Sequence, residues 1–475
     1  MKKINTLYSI ILASLLLVLP SCNDFLDVND NPTRAKEVNL KVLLPTIIES
    51  TSSAHYSAAL SAARVTHQVD HFSGYYDEFD LNSVWIKIYL KSLDNAAILI
   101  KQANEGGSPH YEGVGKILQA INIGMLADLW EDAPFSEAIQ AENKITPAYD
   151  TQEDLYSTIL TKLNEALPLL KAEESFLSPA SDDLVYGGNM DKWTKLAHSL
   201  KARYMLHLSN KPAVDWAAIL TEVDGGFTSN SDNFQLGYNA VNKNPIHSGI
   251  ALSSFTGNLS LTHAKYFIDM MNGAIYTVVD PRLPFMADKG ENADYIGYVS
   301  YPSGAPEHTT EFAVKDSNSF IWYAEEDAPI LMMTYSELKF IEAEAAMGID
   351  AGRVETAYRE GIKAHMDMLG VADADRMMYM DDPLVSLGGV IDLEHIMKEK
   401  YISLFMHFEA WNDMRRHHYN PSIFKGFSEP DLTGQGGRNV PAERALHPSS
   451  EKNRNGTNEE LFRKDFTTRM WKDQN

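Results

Sequence analysis

A mainly α-helical scaffold carrying long irregular, aromatic-rich loops is the fold class this sequence predicts, and three observations predict it. Apolar residues recur at three- and four-residue steps through many long windows, which is the period of a helix with one buried face. Two broad stretches, about 227–329 and 420–458, lose that period and fill instead with Gly, Asn, Ser, Pro and tyrosine. The chain of 475 residues contains one cysteine, so no internal disulfide holds it and stability must come from a large buried core.

The elements follow in order. Lys2 and Lys3 precede an almost wholly apolar run, 7–19, closed by Leu19-Pro20-Ser21-Cys22. That run is too short to span a bilayer and has the pattern of a secretion signal over residues 1–21. Cys22 at the cleavage point is the expected lipidation site, because an unpaired cysteine in an oxidising compartment calls for such a role. The sequence resembles a bacterial lipobox, with Pro20 a departure from the usual residue there. Residues 22–40 read as an acidic tether and 41–475 as the helical body. Of 41 basic side chains, Lys2 and Lys3 leave with the signal, so the net charge moves from −24 to −26. That balance argues against nucleic acid and against electrostatic docking on anionic lipid.

Within the body, helical stripes run through 85–100, 114–130, 193–208, 331–347 and 393–408. Leu155, Tyr156, Ile159, Leu160, Leu163, Ala166, Leu167 and Leu170 draw another, with Asp150 and Glu153 placed as a capping box. The stripe 351–369 follows 335–347 across Gly348-Ile349-Asp350, and Ala357, Gly361 and Ala364 offer small residues where two helices can approach. A shorter helical pattern occupies 261–271 inside the first irregular stretch. The pairs resemble degenerate tetratricopeptide-type repeats, without a strict period of roughly 34 residues.

Loops on a rigid scaffold commonly carry binding sites. A sugar presents apolar C–H faces and hydroxyl rims, so flat rings flanked by Asn and Asp suit it. Two clusters fit: Tyr75, Tyr76 and Phe79 beside Asp77, Glu78, Asp80 and Asn82; and Tyr295, Tyr298 and Tyr301, with Phe320, Trp322 and Tyr323 further on. The expected ligand contacts are therefore Tyr75, Tyr76, Phe79, Asn82, Tyr295, Tyr298, Trp322 and Tyr323. Other groupings read as scaffold. Glu337, Glu342 and Glu344 superficially suggest paired acids, but residues two apart on a helix do not face each other. His67 and His71 stand one helical turn apart with Asp70, without a third metal ligand. Arg415 and Arg416 beside Glu409 and Asp413 are placed for ion pairing between helices. No phosphate loop, nucleophile elbow or cysteine nucleophile is present, and neither cofactor nor metal is expected.

A series of motifs then carries a specific resemblance. Cys22-Asn23-Asp24-Phe25-Leu26-Asp27-Val28-Asn29-Asp30-Asn31-Pro32 opens it. Met125-Leu126-Ala127-Asp128-Leu129-Trp130, Ala133-Pro134-Phe135-Ser136-Glu137-Ala138 and Asp183-Leu184-Val185-Tyr186-Gly187-Gly188-Asn189 follow, the last leading into Trp193 and Ser199-Leu200-Lys201-Ala202-Arg203. Asp280-Pro281-Arg282-Leu283-Pro284, Tyr335-Ser336-Glu337, Glu342-Ala343-Glu344-Ala345, Glu409-Ala410-Trp411-Asn412-Asp413-Met414-Arg415-Arg416 and Val440-Pro441-Ala442-Glu443-Arg444 complete the order, with His447-Pro448 and Asn453 beyond. Together they resemble SusD/RagB-family outer-membrane lipoproteins of Bacteroidetes, nearest the type-two branch.

That resemblance implies a tetratricopeptide-containing protein, lipid-anchored on the cell surface, that does no chemistry. It implies a lid on a SusC-like TonB-dependent barrel, capturing an oligosaccharide or a peptide. The competing classes are a membrane-anchored helical glycoside hydrolase, which needs two carboxylates about 5–10 Å apart across a cleft, and an adhesin or scaffold lipoprotein that binds protein alone.

Overall fold

The computed structural model describes residues 39–71, 81–139, 144–256, 261–289, 293–298, 314–316, 319–429 and 440–474. Helix α1, Leu40–Val65, buries a stripe of Leu43, Leu44, Ile47, Ile48, Ala54, Ala58, Ala59 and Ala62. Helix α2 runs on through three pieces, Asn82–Ile86, Lys87–Leu93 and Asp94–Glu105, the middle one π-helical. It lies along α1, where the buried hydroxyls of Ser50 and Ser92 bond at 2.8 Å and Lys87 Nζ donates to Ser57 Oγ at 2.8 Å. Small residues allow that close approach.

Helix α3, Pro109–Trp130, is buried over nearly its whole length and packs between α2 and α4, Gln152–Leu170. Gly124 permits the packing of α5, Met190–His207, since a Cβ there would lie 2.1 Å from the Tyr204 hydroxyl. Helix α6, Trp216–Asp224, continues the stack. The cap of α4 is one residue later than the sequence reading: Thr151 accepts from Asp154 N at 3.2 Å. Asp150 instead accepts from Phe135 N and Ser136 N, closing the loop before the helix.

Between α6 and the next long helix the described elements are short. Strand β1, Val69–His71, pairs with β3, Leu261–His263; β2, Phe234–Leu236, pairs with β6, Ile330–Met333; and β4, Val314–Asp316, pairs with β5, Ser319–Phe320, each antiparallel. Two helical stripes read from sequence are thus divided. In 261–271 a strand precedes α7, Lys265–Met271, and in 331–347 β6 precedes α8, Tyr335–Ala346, which Thr334 caps. In β6 a run of bulky apolar residues buried on both faces mimics the periodic stripe, whereas in β3 Leu261 is followed by the buried polar residues Thr262 and His263, which pair with β1.

Helix α9, Ala351–Leu369, pairs tightly with α8 as the small residues foretold. A Cβ on Gly361 would meet the Phe340 ring at 2.9 Å, and Ser336 Oγ donates to the Gly361 carbonyl at 2.7 Å. Helices α10, Asp373–Asp381, α11, Leu393–Ser403, and α12, Glu409–Arg416, complete the scaffold.

The C-terminal segment then returns to the end of α3. Ala445 N donates to the Leu129 carbonyl and Trp130 Nε1 to that of Leu446. Glu131, at φ +77°, anchors it: its carboxylate takes Arg444, Lys464 and the backbone N–H of Trp471. Among the described residues no helix is long and apolar enough to cross a membrane.

Candidate ligand-binding site

Three segments far apart in sequence run side by side on one ladder. Val69 pairs with His263 across β1 and β3, Tyr298 N donates to the His263 carbonyl at 2.8 Å, and Lys265 N donates to the Tyr298 carbonyl at 2.7 Å. Gly297 packs so close that a Cβ would lie 2.3 Å from Lys265 Cα, so no larger residue fits there. The ladder joins Tyr298 to the β3 segment, which pairs in turn with β1, the strand from which the first aromatic stretch leaves in sequence. Tyr75, Tyr76, Phe79 and Tyr301 lie outside the described residues, as does Cys22.

The remaining expected contacts are unequal. Tyr298 is buried, and burial together with Asp70 raises its phenol pKa. Tyr295 is half-buried, its carbonyl accepting from Asn272 Nδ2 at 3.3 Å. Asn82 Oδ1 accepts from Ser450 Oγ at 2.6 Å, which places it against the C-terminal segment. Tyr323 is buried, its ring 5.0 Å from that of Phe405 and its hydroxyl on His365 Nε2 at 3.0 Å. This corrects the expectation that Tyr323 offers a face to ligand; its ring packs inside. Trp322, next to it, is half-exposed and meets the Tyr323 ring edge-on, centroids 4.9 Å apart. Phe320, also half-buried, sits edge-on to His247 at 4.7 Å. Phe405 links the two groups, since its ring also lies 5.4 Å from His263 on the ladder.

Residues 324–328 are pinned by the segment 244–247. Asn244 Nδ2 donates to the Ala328 carbonyl at 2.7 Å and Asn244 N to that of Glu326 at 2.9 Å, while His247 Nδ1 donates to that of Ala324 at 3.0 Å. Trp322 is thus a wide ring at the surface of a well-anchored loop, which suits it to contact a flat, partly apolar ligand face.

The acidic and basic motif residues are bound to one another. Arg203 Nε and Nη2 grip the two oxygens of Glu337, each at 2.6 Å. Glu342 meets Lys339 at 2.7 Å and Arg353 at 2.8 Å. Glu344 is bound by Arg416; burial pushes its carboxyl up, but Arg416 and His417 outweigh this and hold it well below the usual range. Arg415 donates to Glu443 O at 3.0 Å and stacks over Trp411 at 4.2 Å. Each of the three glutamates Glu337, Glu342 and Glu344 thus has a cationic partner.

Helix α1 ends at Val65, so His67 and His71 are not a helical turn apart as read from sequence: His67 occupies a turn at φ +58° and His71 ends β1. Asp128, His207 and Glu409 are buried with one ligating atom of each within 4.8 Å of the others. His207 bridges the carboxylates, Nε2 lying 2.8 Å from Glu409, and Tyr156 donates to Asp128 at 2.5 Å. Burial lowers the His207 pKa, but Glu409 and Asp128 raise it above its ordinary value, and Arg203 stands 3.7 Å from Glu409. His207 and the Arg203 guanidinium are the basic groups set against these carboxylates.

Comparison with known proteins places this geometry. A family model described as SusD-like, starch-binding and associating with the outer membrane matches residues 35–448. Solved structures align over nearly the whole chain. A SusD/RagB family protein from Bacteroides thetaiotaomicron is 21% identical with a TM-score of 0.73, covering 92% of this chain and 99% of its own. A chitin-binding SusD homolog from Flavobacterium johnsoniae is 20% identical with a TM-score of 0.72, covering 92% and 99%. A SusD homolog from Bacteroides fragilis is 20% identical with a TM-score of 0.71, covering 92% and 100%. Among curated proteins, no sequence match is found.

Proposed function

The chain belongs to the SusD-like family, and from that premise we propose that it is a lipid-anchored surface protein that captures an oligosaccharide and hands it, as a lid, to a SusC-like TonB-dependent barrel. The observation that carries this reading is the family match over residues 35–448, whose description joins starch binding to the outer membrane. The chitin-binding relative from Flavobacterium johnsoniae widens the candidate ligands from starch-type to chitin-type oligosaccharides. Anchorage is assigned to Cys22 and contact with the glycan to Trp322 and Tyr295; Tyr75, Tyr76 and Phe79 are further candidates from sequence.

The role is binding and delivery. Glu337, Glu342 and Glu344, the acids that a hydrolase reading would use, are engaged by Arg203, Lys339, Arg353 and Arg416. Calorimetric titration of the purified protein with maltoheptaose and with chitohexaose tests the ligand class. Heat of binding from one of them, with no product released over a day, supports the reading. No heat from any neutral glycan in a wider panel, together with binding of a peptide library, overturns it.

A further inference from the structure

Trp322 is connected to the interior by an unbroken series of side chains. Its ring meets Tyr323 edge-on, at 78°. The Tyr323 hydroxyl meets His365 Nε2 at 3.0 Å, and His365 Nδ1 meets Arg282 Nη1 at 3.2 Å. Arg282, fully buried, donates through Nε to Asp280 Oδ1 at 2.9 Å and through Nη2 to Asp280 Oδ2 at 2.5 Å, and also holds Glu399. Glu399 Oε1 in turn accepts from Tyr379 at 2.7 Å and Lys398 at 2.8 Å. The series joins the loop to α9, α10 and α11.

Its polarity has one direction. A guanidinium has donors only, so His365 Nδ1 must accept and the imidazole proton must sit on Nε2, donating to Tyr323. Burial and the adjacent Arg282 keep this imidazole neutral, against the pull of Glu399, so the tautomer persists at neutral pH. Packing against Phe405 and Trp322 sets the Tyr323 ring plane, and a directional bond at the hydroxyl adds a fixed point at the far end of the phenol. The other anchors of this segment, His247 and Asn244, hold backbone carbonyls, whereas the Tyr323 ring touches Trp322 itself.

We propose that His365 is a positioning residue, transmitting the fixed geometry of the buried Arg282–Asp280–Glu399 cluster through Tyr323 to the Trp322 ring. The inference rests on the reading that Trp322 contacts the glycan, but the mount can be observed without any ligand. The full chain is labelled with 5-fluorotryptophan; of its seven tryptophans, Trp322 is identified by the resonance lost in Trp322→Phe. Tyr323→Phe, which keeps the ring and removes the hydroxyl, is expected to shift and broaden the Trp322 fluorine resonance while leaving the others in place. It is expected to weaken whichever of maltoheptaose or chitohexaose binds by roughly threefold to tenfold. His365→Gln, whose amide can accept from Arg282 and donate to Tyr323, should keep the wild-type resonance, and His365→Leu should shift it as Tyr323→Phe does.

An unchanged Trp322 resonance in Tyr323→Phe, accompanied by a lowered melting temperature, overturns the proposal and leaves a merely structural contact. A moved resonance with unaltered glycan affinity upholds the mount and removes Trp322 from the binding surface of the proposed function.

Discussion

Replacing Glu443 by Gln should stabilise the protein at alkaline pH and do nothing at acid pH. Glu443 is buried on the returning C-terminal segment, with Oε2 unpaired and the nearest cation on Oε1, Arg469 Nε, 3.9 Å away. Burial, then the charge of Asp473, push its carboxyl up to about 7, although Arg415, Arg469 and Lys472 pull the other way. A carboxylic acid whose pKa is raised on folding favours the fold while protonated, and that contribution is lost as pH rises. No penalty exists below the unfolded value near 4.5; it grows from there to about 7 and is complete above. A rise of about 2.5 units corresponds to roughly 3 kcal/mol at pH 8. With an unfolding entropy of about 2 cal/mol/K per residue, a body of this size should gain about 3 °C in Tm. Calorimetric scans of Glu443→Gln and wild type at pH 8 and pH 4.5 measure it. Equal shifts at both pH values, or a lower Tm at pH 8, would refute the reasoning.

Three further outcomes follow from the packing and the anchor. Gly361→Ala drives a methyl into the Phe340 ring at 2.9 Å and should cost about 1–3 kcal/mol in denaturant unfolding, whereas Gly348→Ala tests only the positive φ of an open turn. Arg203→Met strands the buried Glu337 carboxylate and should cost about 3–5 kcal/mol, of which Arg203→Met/Glu337→Leu should recover a substantial part. Cys22→Ser should move the protein from the membrane to the soluble fraction without changing its circular dichroism, and continued sedimentation after a salt wash would count against lipidation.

The fold was legible where one residue type repeats on one face. The stripes at 155–170 and 351–369 and the small residues Ala357 and Gly361 mark real helices and a real close contact. Helix α1 was not, because its leucine and isoleucine stripe ends at Ile48, Pro45 interrupts it, and the rest of its buried face is largely alanine, serine and threonine, whose hydrophobicity is too low to extend it. The division of 331–347 into β6 and α8 was equally hidden, since Leu331, Met332 and Met333 extend the apolar pattern of the helix behind them. At the site, aromatic composition pointed to the segment holding Trp322 but could not separate it from Tyr323, buried one residue away. What decides between them is His365, 42 residues further on, and Arg282, 83 residues before that. Asp280-Pro281-Arg282 was visible as a motif, yet nothing local reveals that its guanidinium lies beneath the loop. The same holds for Glu131, whose partner Arg444 is 313 residues away.

Purification of the tagged protein from its native outer membrane in mild detergent tests the central claim most directly. A lid that rides on a transporter should bury an interface of roughly 2,000 Å² or more and survive extraction, bringing a barrel of transporter size in equal amount. Recovery of the lipoprotein alone, from membranes in which mass spectrometry finds the barrel abundant, would contradict the account.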